Sequence, residues 1–339
     1  MKKNMTKLEE LYDKAIHRFA HIVKSPGSTG NEIGNSKNCR NCFDVQDCEN
    51  MKYVNWAGFG YPFKDAYDCT AAAAAELGYE AINVGLGGIR NLFVVVSWYN
   101  HHVEYSYNCR NSEYLFGCVG LRNKKYCILN NQYTKEEYNE LLPRIKQHMS
   151  EMPYTDKKGN VYKYGEFFPV ELSPFSYDET IASESFPLNM EEIRGSGYPN
   201  FEKPKNEYEV TMKTNQLPDH IKDVSDAILK EVIECGNVPR GKCEGSGVFR
   251  LIPRELEFYK KNNLPLPRFC PICRHRARTN KRSPLKLFER QCMCDHKVYK
   301  NQGKHKHGDK PCQNTFETTY EPDRPEIVYC KDCYQREVE

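Results

Sequence analysis

No apolar run in this chain reaches the roughly 18 residues that a membrane-spanning helix requires, so no membrane span is expected. The opening MKKNMTKLEELYDKAIHRFAHIV lacks the uninterrupted apolar stretch of a secretory signal, which argues against export. Without export, disulfides are not expected, and a cytoplasmic location follows. Hydrophobic residues are scarce, at 39% of 339 residues, and tryptophan occurs twice. Any core must therefore lean on the 23 tyrosines, 16 phenylalanines and 16 cysteines as well as on Leu and Val. Neither sign of charge dominates the whole chain, whose net value is +3. That balance hides a division into segments of +2 (1–133), −8 (134–234) and +9 (235–339).

With disulfides set aside, sixteen cysteines have to be metal ligands or small buried apolar residues, and both kinds are expected in different parts of the chain. Residues 1–34 read as an N-terminal capping helix, with Leu8, Leu11, Ala15, Phe19 and Ile22 on one stripe and Pro26-Gly27 ending it. Residues 35–133 change to short extended pieces with polar punctuation. NSKNCRNCF (35–43) realigns on NSEYLFGCV (111–119), and Cys109, Cys118 and Cys127 recur every nine residues. Irregular self-similarity with small inward candidates and Asn/Gly corners predicts a β-solenoid, loosely similar to a right-handed parallel β-helix. An antiparallel β-sandwich is the alternative. Cys39, Cys42 and Cys48 could form a metal site, but a solenoid would divide them among coil faces, and stacked neutral thiols are the preferred reading. Asp44, Asp47, Glu49, Asp65 and Asp68 offer carboxylates for glycan chemistry, yet no spacing singles out a pair.

Residues 134–234 read as a helix followed by an acidic irregular connector. Thr134 and Glu137 have the spacing of a capping box, and a short helix around Asp226–Ile233 delivers the chain to Cys235. The overall fold class is thus mainly β, with an irregular α/β connector between the solenoid and a cysteine-rich tail at 235–339.

Nine cysteines lie in that tail: Cys235, Cys243, Cys270, Cys273, Cys292, Cys294, Cys312, Cys330 and Cys333. In two successive units a Cys precedes an aromatic strand, a Pro-bearing turn and a CxxC pair, first CPIC and then CKDC. Two such units predict tandem zinc ribbons, because zinc takes four thiolate or imidazole donors in a tetrahedron. About two zinc ions per chain are expected. The first unit, with Cys243, Phe249, Glu255, Phe258, Tyr259, Pro267, Cys270, Cys273 and Arg274 in order, resembles a zinc-ribbon family. That family's pattern runs from a Cys pair through F and E-x-x-F-Y to P-x-x-C-x-x-C-R. Here its first CxxC is replaced by Cys235 and Cys243. The second unit resembles related ribbons ending in R-P-x-x-Y-C-x-x-C-Y, here Arg324, Pro325, Tyr329, Cys330, Cys333 and Tyr334. Its stretched first knuckle uses Cys312 with Cys292 or Cys294, and His296, His305 or His307 could replace a cysteine. The preferred reading of that histidine segment is a solvated loop. The chain as a whole resembles uncharacterised bacterial proteins that end in such ribbons, a likeness that implies architecture and no activity.

Arg268, Arg274, Arg276, Arg278, Lys281, Arg282, Lys286 and Arg290, with His275 among them, form a bridge of net charge +7 between the two CxxC units. Guanidinium groups beside a rigid knuckle suit phosphate oxygens. The leading expectation is therefore a non-catalytic protein whose tail binds nucleic acid, RNA before DNA, with the solenoid as platform. Alternatively these cations pair with the acidic connector, and the protein is a zinc-stabilised scaffold for protein association or self-assembly. A β-helix enzyme acting on glycans is a further alternative. A redox role for CPIC lacks a βαβ context, and no small-molecule substrate is identified.

Overall fold

A computed structural model describes residues 2–200, 208–299 and 301–339; the stretch of the acidic connector at 201–207 lies outside the described residues. Two compact units emerge, one of Met1–Pro174 with Ser283–Glu339 and one of Phe175–Arg282.

A period of three residues shapes the first unit. Ile33, Ser36, Cys39, Cys42, Val45, Cys48, Met51, Val54 and Ala57 are all buried, one in every three. The residue before each inward position is left-handed: Glu32, Asn35, Asn38, Asn41, Asp44, Asp47, Asn50, Tyr53 and Trp56 have φ between 46° and 57°. Each left-handed residue turns the chain, so three-residue sides close into coils. Gly30 lies opposite Cys42, His101 opposite Glu113, and Glu113 opposite Lys125, a step of four triplets. The step widens by one triplet where Cys48 pairs with Phe63 and Asn55 with Thr70. Coil-to-coil pairing is parallel until Asn131–Gln132 folds back antiparallel on Lys125–Ile128. The result is a β-solenoid of about nine turns, and the parallel ladders are incompatible with the β-sandwich alternative.

A left-handed conformation costs most L-residues about 1–2 kcal/mol, and Asn and Asp tolerate it best. That preference accounts for the Asn/Asp punctuation of the sequence. Their side chains also join the coils: Asn38 donates to Asn50 (3.1 Å), Asn50 to Asp65 (2.9 Å), and the Trp56 indole to Asp44 (3.1 Å). At Gly58 (φ 87°) a Cβ would stand 1.6 Å from the Gln46 carbonyl oxygen, so the coil above leaves room only for glycine.

Four or five inward residues per turn leave a narrow core, filled by Cys, Ala, Ser and Val, with Phe63 and Met51 the large exceptions. Polar inward groups are satisfied by the backbone. Ser36 and Ser106 hydroxyls donate to carbonyls two residues earlier and accept the amides of Cys48 and Cys118 twelve residues later. Cysteine copies the first half of this bond. Cys42, Cys48 and Cys69 thiols lie 3.2–3.3 Å from the carbonyls of Arg40, Gln46 and Tyr67.

The long helix Lys135–Glu151 lies against the last coils, begun by the Thr134–Glu137 capping box read from the sequence. Its Tyr138 packs with Tyr114 and Tyr126, members of an outer ladder in which His102, Tyr114 and Tyr126 stack 5.0 Å apart. Glu104, 3% exposed, receives Arg90 (2.9 Å), Lys146 (2.8 Å) and the Tyr164 hydroxyl (2.9 Å). Burial pushes the Glu104 carboxyl up, but Lys146 and Arg90 outweigh it and hold the group below the usual range.

At the other end, the N-terminal helix stops at Lys14, and Leu8 and Leu11 on it are exposed. The stripe read through Phe19 and Ile22 is not one helix. Ile16–Arg18 pairs in parallel with Ile327–Tyr329 of the tail, and Ile22–Val23 already pairs with the first full coil, ahead of the expected start at Asn35. Apolar spacing alone could not separate these states, because Ile16 and Phe19 bury against tail residues such as Phe316 and Ile327. Thr318 of the tail donates to the Phe19 carbonyl (2.6 Å) and ties the module to this edge.

In the second unit the expected helix around Asp226–Ile233 is a 3-10 segment, Asp226–Lys230, followed by strand Ile233–Glu234. Leu217, Ile221, Ile228, Ile233, Phe249, Leu251 and Leu256 form its core together with Cys235, Cys270 and Cys273.

Two predictions follow from these contacts. Ala71 is exposed at φ 57° and Ala72 is 2% exposed, pointing inward. In urea unfolding, Ala71→Gly should stabilise by about 0.5–1 kcal/mol, whereas Ala72→Leu should destabilise by about 1–3 kcal/mol; opposite signs would contradict the triplet assignment. Glu104→Gln should cost about 1–2 kcal/mol near neutral pH, less than a wholly buried pair because Lys146 and Arg90 keep contact with water. Because the folded-state pKa is depressed from 4.5, the wild-type advantage is complete above that value and fades as pH falls through the folded-state pKa. A difference independent of pH would refute the ion-pair account.

Candidate metal centres

The tail builds the same small device twice. In the first, strands Ile233–Glu234 and Val248–Phe249 pair antiparallel, and Cys235 and Cys243 lie in the connection between them. In the second, Phe288–Gln291 pairs with Thr315–Thr318, and Cys292 and Cys312 lie between those strands. Cys270 then caps the helix Pro271–Thr279, and Cys330 caps Lys331–Glu337. Cys273 and Cys333 sit in the first turns of those helices. The CxxC pairs thus ride on helix starts, whereas the sequence reading put both knuckles on paired strands. One hydrogen bond repeats as well: the Cys270 amide donates to the Cys235 sulfur (3.3 Å), and the Cys330 amide to the Cys292 sulfur (3.2 Å).

Cys235, Cys243, Cys270 and Cys273 bring their sulfurs within 4.8 Å of one another, and so do Cys292, Cys312, Cys330 and Cys333. Cys243 lies 3.9 Å from Cys270 and 3.7 Å from Cys273, sulfur to sulfur. A tetrahedron of ~2.3 Å zinc–sulfur bonds has edges of about 3.8 Å, so the donor set has the size of a four-thiolate site. Within each set the protons are shared unequally: Cys273 and Cys330 are drawn toward the thiolate, while Cys243, Cys270, Cys292 and Cys333 are held up by burial and by their sulfur neighbours. The Cys292 thiol donates to Cys330 and pulls it down to about 4. Burial opposes ionisation of Cys273, but hydrogen bonds led by Asn237 bring it to about 7. A dication arriving among such sulfurs displaces the remaining protons.

Cys294 does not enter the second thiol set. It groups with His305, His307 and Cys333, whose ligand atoms also converge within 4.8 Å. The histidine segment is therefore not the solvated loop expected: the His305 side chain is fully buried. Its Lys-rich composition concealed this, and the only clue was the spacing, C-x-C at 292–294 and H-x-H at 305–307. Among the described residues, three Cys/His clusters could hold a metal ion.

None of the seven solenoid cysteines joins a three-donor group among the described residues. Burial pushes Cys48 and Cys69 up to about 12 and Cys118 to about 11, so these thiols stay neutral. Four of the five candidate carboxylates are engaged, Asp44 with Trp56, Asp47 with the Gly60 amide, Asp65 with Asn50, and Glu49 with Lys37, and burial pushes the fifth, Asp68, up.

The basic bridge is divided. Arg268 donates to the carbonyls of Thr214, Leu217 and Pro218 and pairs with Asp219. Arg274 meets Glu255 and Tyr259; Arg276 meets Glu244 and Ser183; His275 meets Glu184. Arg290 donates to the carbonyls of Glu321 and Glu326. Arg278, Lys281, Arg282 and Lys286 are exposed.

None of the known protein families matches this chain, and none of the curated proteins compared with it is similar.

Cys273→Ala should remove about one metal ion per chain and leave residues 175–282 open to protease, since closed sites of this kind supply folding free energy to the small unit around them. Elemental analysis with limited proteolysis checks this. An unchanged metal content, or a protease-resistant unit after complete chelation, would contradict it.

Proposed function

We propose that the protein is a non-catalytic, zinc-stabilised scaffold that self-associates through the outer face of its solenoid. The observation that carries the non-catalytic part is closure. Each four-cysteine set supplies all four donors of a tetrahedron from buried or half-buried side chains and keeps no position for substrate. Zinc is favoured among metals because soft thiolates in a tetrahedral arrangement suit it. The sixteen free thiols fit a reducing compartment.

Supporting the scaffold reading, four cations of the +7 bridge and the neighbouring His275 are engaged within the protein. Arg268, Arg274, Arg276, Arg290 and His275 all have protein partners. Outward, the solenoid stacks Val95, Tyr107 and Val119 in register, with Tyr107 49% and Val119 56% exposed. Such a row suits a like row on a second copy. A nucleic-acid reading is narrowed to Arg278, Lys281, Arg282 and Lys286, which are exposed and suited to phosphate contact.

Light scattering of the full chain should show association that rises with concentration and is lost in Tyr107→Asp with an unchanged circular dichroism spectrum. A monomer at every concentration would contradict self-assembly. Retention of a single-stranded RNA at low salt, abolished by reversing those four cations, would favour the nucleic-acid reading instead.

A further inference from the structure

The histidine loop at 295–311 poses a physical problem. It carries five lysines and three histidines, yet it buries the His305 side chain completely. Something must repay the loss of solvation.

Two of the three imidazoles in the loop, His305 and His307, are each held in one orientation by an oxygen. The His305 Nε2 lies 2.7 Å from Glu337, and the same carboxylate accepts the amides of Gln302 (3.0 Å) and Gly303 (2.7 Å). The His307 Nδ1 lies 2.6 Å from the Lys310 carbonyl. With one nitrogen of each ring committed as a donor, the other is left as a lone pair. His307 Nε2 is 3.4 Å from the Cys333 sulfur, and the Cys294 sulfur lies beside the His305 ring, 3.6 Å from Nδ1 and 3.9 Å from Nε2. An imidazole whose far nitrogen donates to a carboxylate or carbonyl is the usual support of a metal-bound histidine. The spacing fits as well. For zinc bonds of ~2.0–2.1 Å to nitrogen and ~2.3 Å to sulfur, a tetrahedral nitrogen–sulfur edge is about 3.6 Å.

Cys333 is the fourth atom of this set and also the fourth of the set with Cys292, Cys312 and Cys330. A thiolate has lone pairs enough for two cations. We propose that the second centre is binuclear: a third metal ion of the zinc class, held by Cys294, His305 and His307, shares the Cys333 thiolate with its neighbour. Five thiolates against two dications leave a residual charge of −1. The His296 ring stands 5.0 Å from His305, and its buried Nε2 has no hydrogen-bond partner among the described atoms. His296 is nevertheless not one of the four converging donors, which makes it the control. The loop's inward fold then has its cause, since metal–ligand bonds replace lost hydration.

This inference rests on the second thiol cluster binding metal, and the experiment separates the two. Full-length protein is purified without chelator, its metal counted by mass spectrometry, and then reconstituted with cobalt(II). Three ions per chain are expected, falling to two in Cys294→Ser and in His307→Asn and staying at three in His296→Ala. In the cobalt protein the shared thiolate should couple two ions magnetically. That coupling should vanish in Cys294→Ser, with an isolated high-spin signal appearing in its place. Two ions in the wild type, one of them lost in Cys312→Ser, would overturn the binuclear centre while leaving the thiol sites intact. Loss of the third ion in His296→Ala without coupling would overturn the bridge. A metal-free protein would overturn both this inference and the zinc scaffold.

Discussion

Four sulfur atoms drawn within 4.8 Å of one another cannot all remain comfortable thiols. Each needs a partner, and four thiols supply too few good donors and acceptors for a closed, buried set. The tail resolves this crowding twice with the same chain geometry. A hairpin connection offers two cysteines and a helix start offers two more. The helix N-terminus adds its own attraction for negative charge, and one sulfur of each CxxC pair, Cys273 or Cys330, is drawn toward the thiolate while its partner is held up. Everything nearby is arranged around that convergence. In the second unit the cysteines stand within the same apolar cluster as Ile228, Phe249 and Leu256. In the first, Tyr329 and Ile327 carry the strand that pairs with Ile16–Arg18.

The solenoid uses the same residue for the opposite purpose. There each thiol has a carbonyl two residues behind it and no second sulfur arrangement suited to a metal. Six of the seven are held up, mostly by the low dielectric, and Cys39 is drawn down by its hydrogen bond with Cys42. Cysteine and serine become near-equivalent at inward positions, because both are small and both can return a hydrogen bond to the backbone at a corner. The three-residue period is the reason. A side only three residues long leaves no width for Leu-rich packing, so the core is built from what fits.

Much of this could be read from the residues, and the failures are instructive. The nine-residue recurrence of Cys109, Cys118 and Cys127 is three triplets, a true fragment of the underlying period. The alignment of 35–43 on 111–119 gave a solenoid without its unit, because the inward phase slips by one residue near Gly87–Gly88, where Val84 and then Gly88 and Asn91 are buried. Left-handed corners at Asn and Asp were visible as punctuation; those at Tyr53, Leu77 or Val96 were not, since such residues seldom adopt that conformation. At the tail, the grouping of Cys235 and Cys243 with CPIC was implied by the zinc-ribbon resemblance, not by spacing alone, since seven residues separate the two where the family has two. Whether Cys292 or Cys294 served the second set was not, because the two differ by a single residue and both are buried. Only the fold shows Cys292 turned to the thiol set and Cys294 to the histidines. The arginine run misled for a different reason: charge in sequence does not reveal that Arg268 and Arg276 are occupied by carbonyls and acids far along the chain.

The central claim is that sixteen chemically identical thiols fall into two populations set by geometry. The direct measurement is thiol reactivity toward an aromatic disulfide in native protein, then after a strong zinc chelator, then after denaturant. The account predicts almost no reaction at first, release of the nine tail thiols on chelation, and the seven solenoid thiols only on denaturation. Simultaneous reaction of all sixteen on chelation, or no change before denaturant, would contradict it.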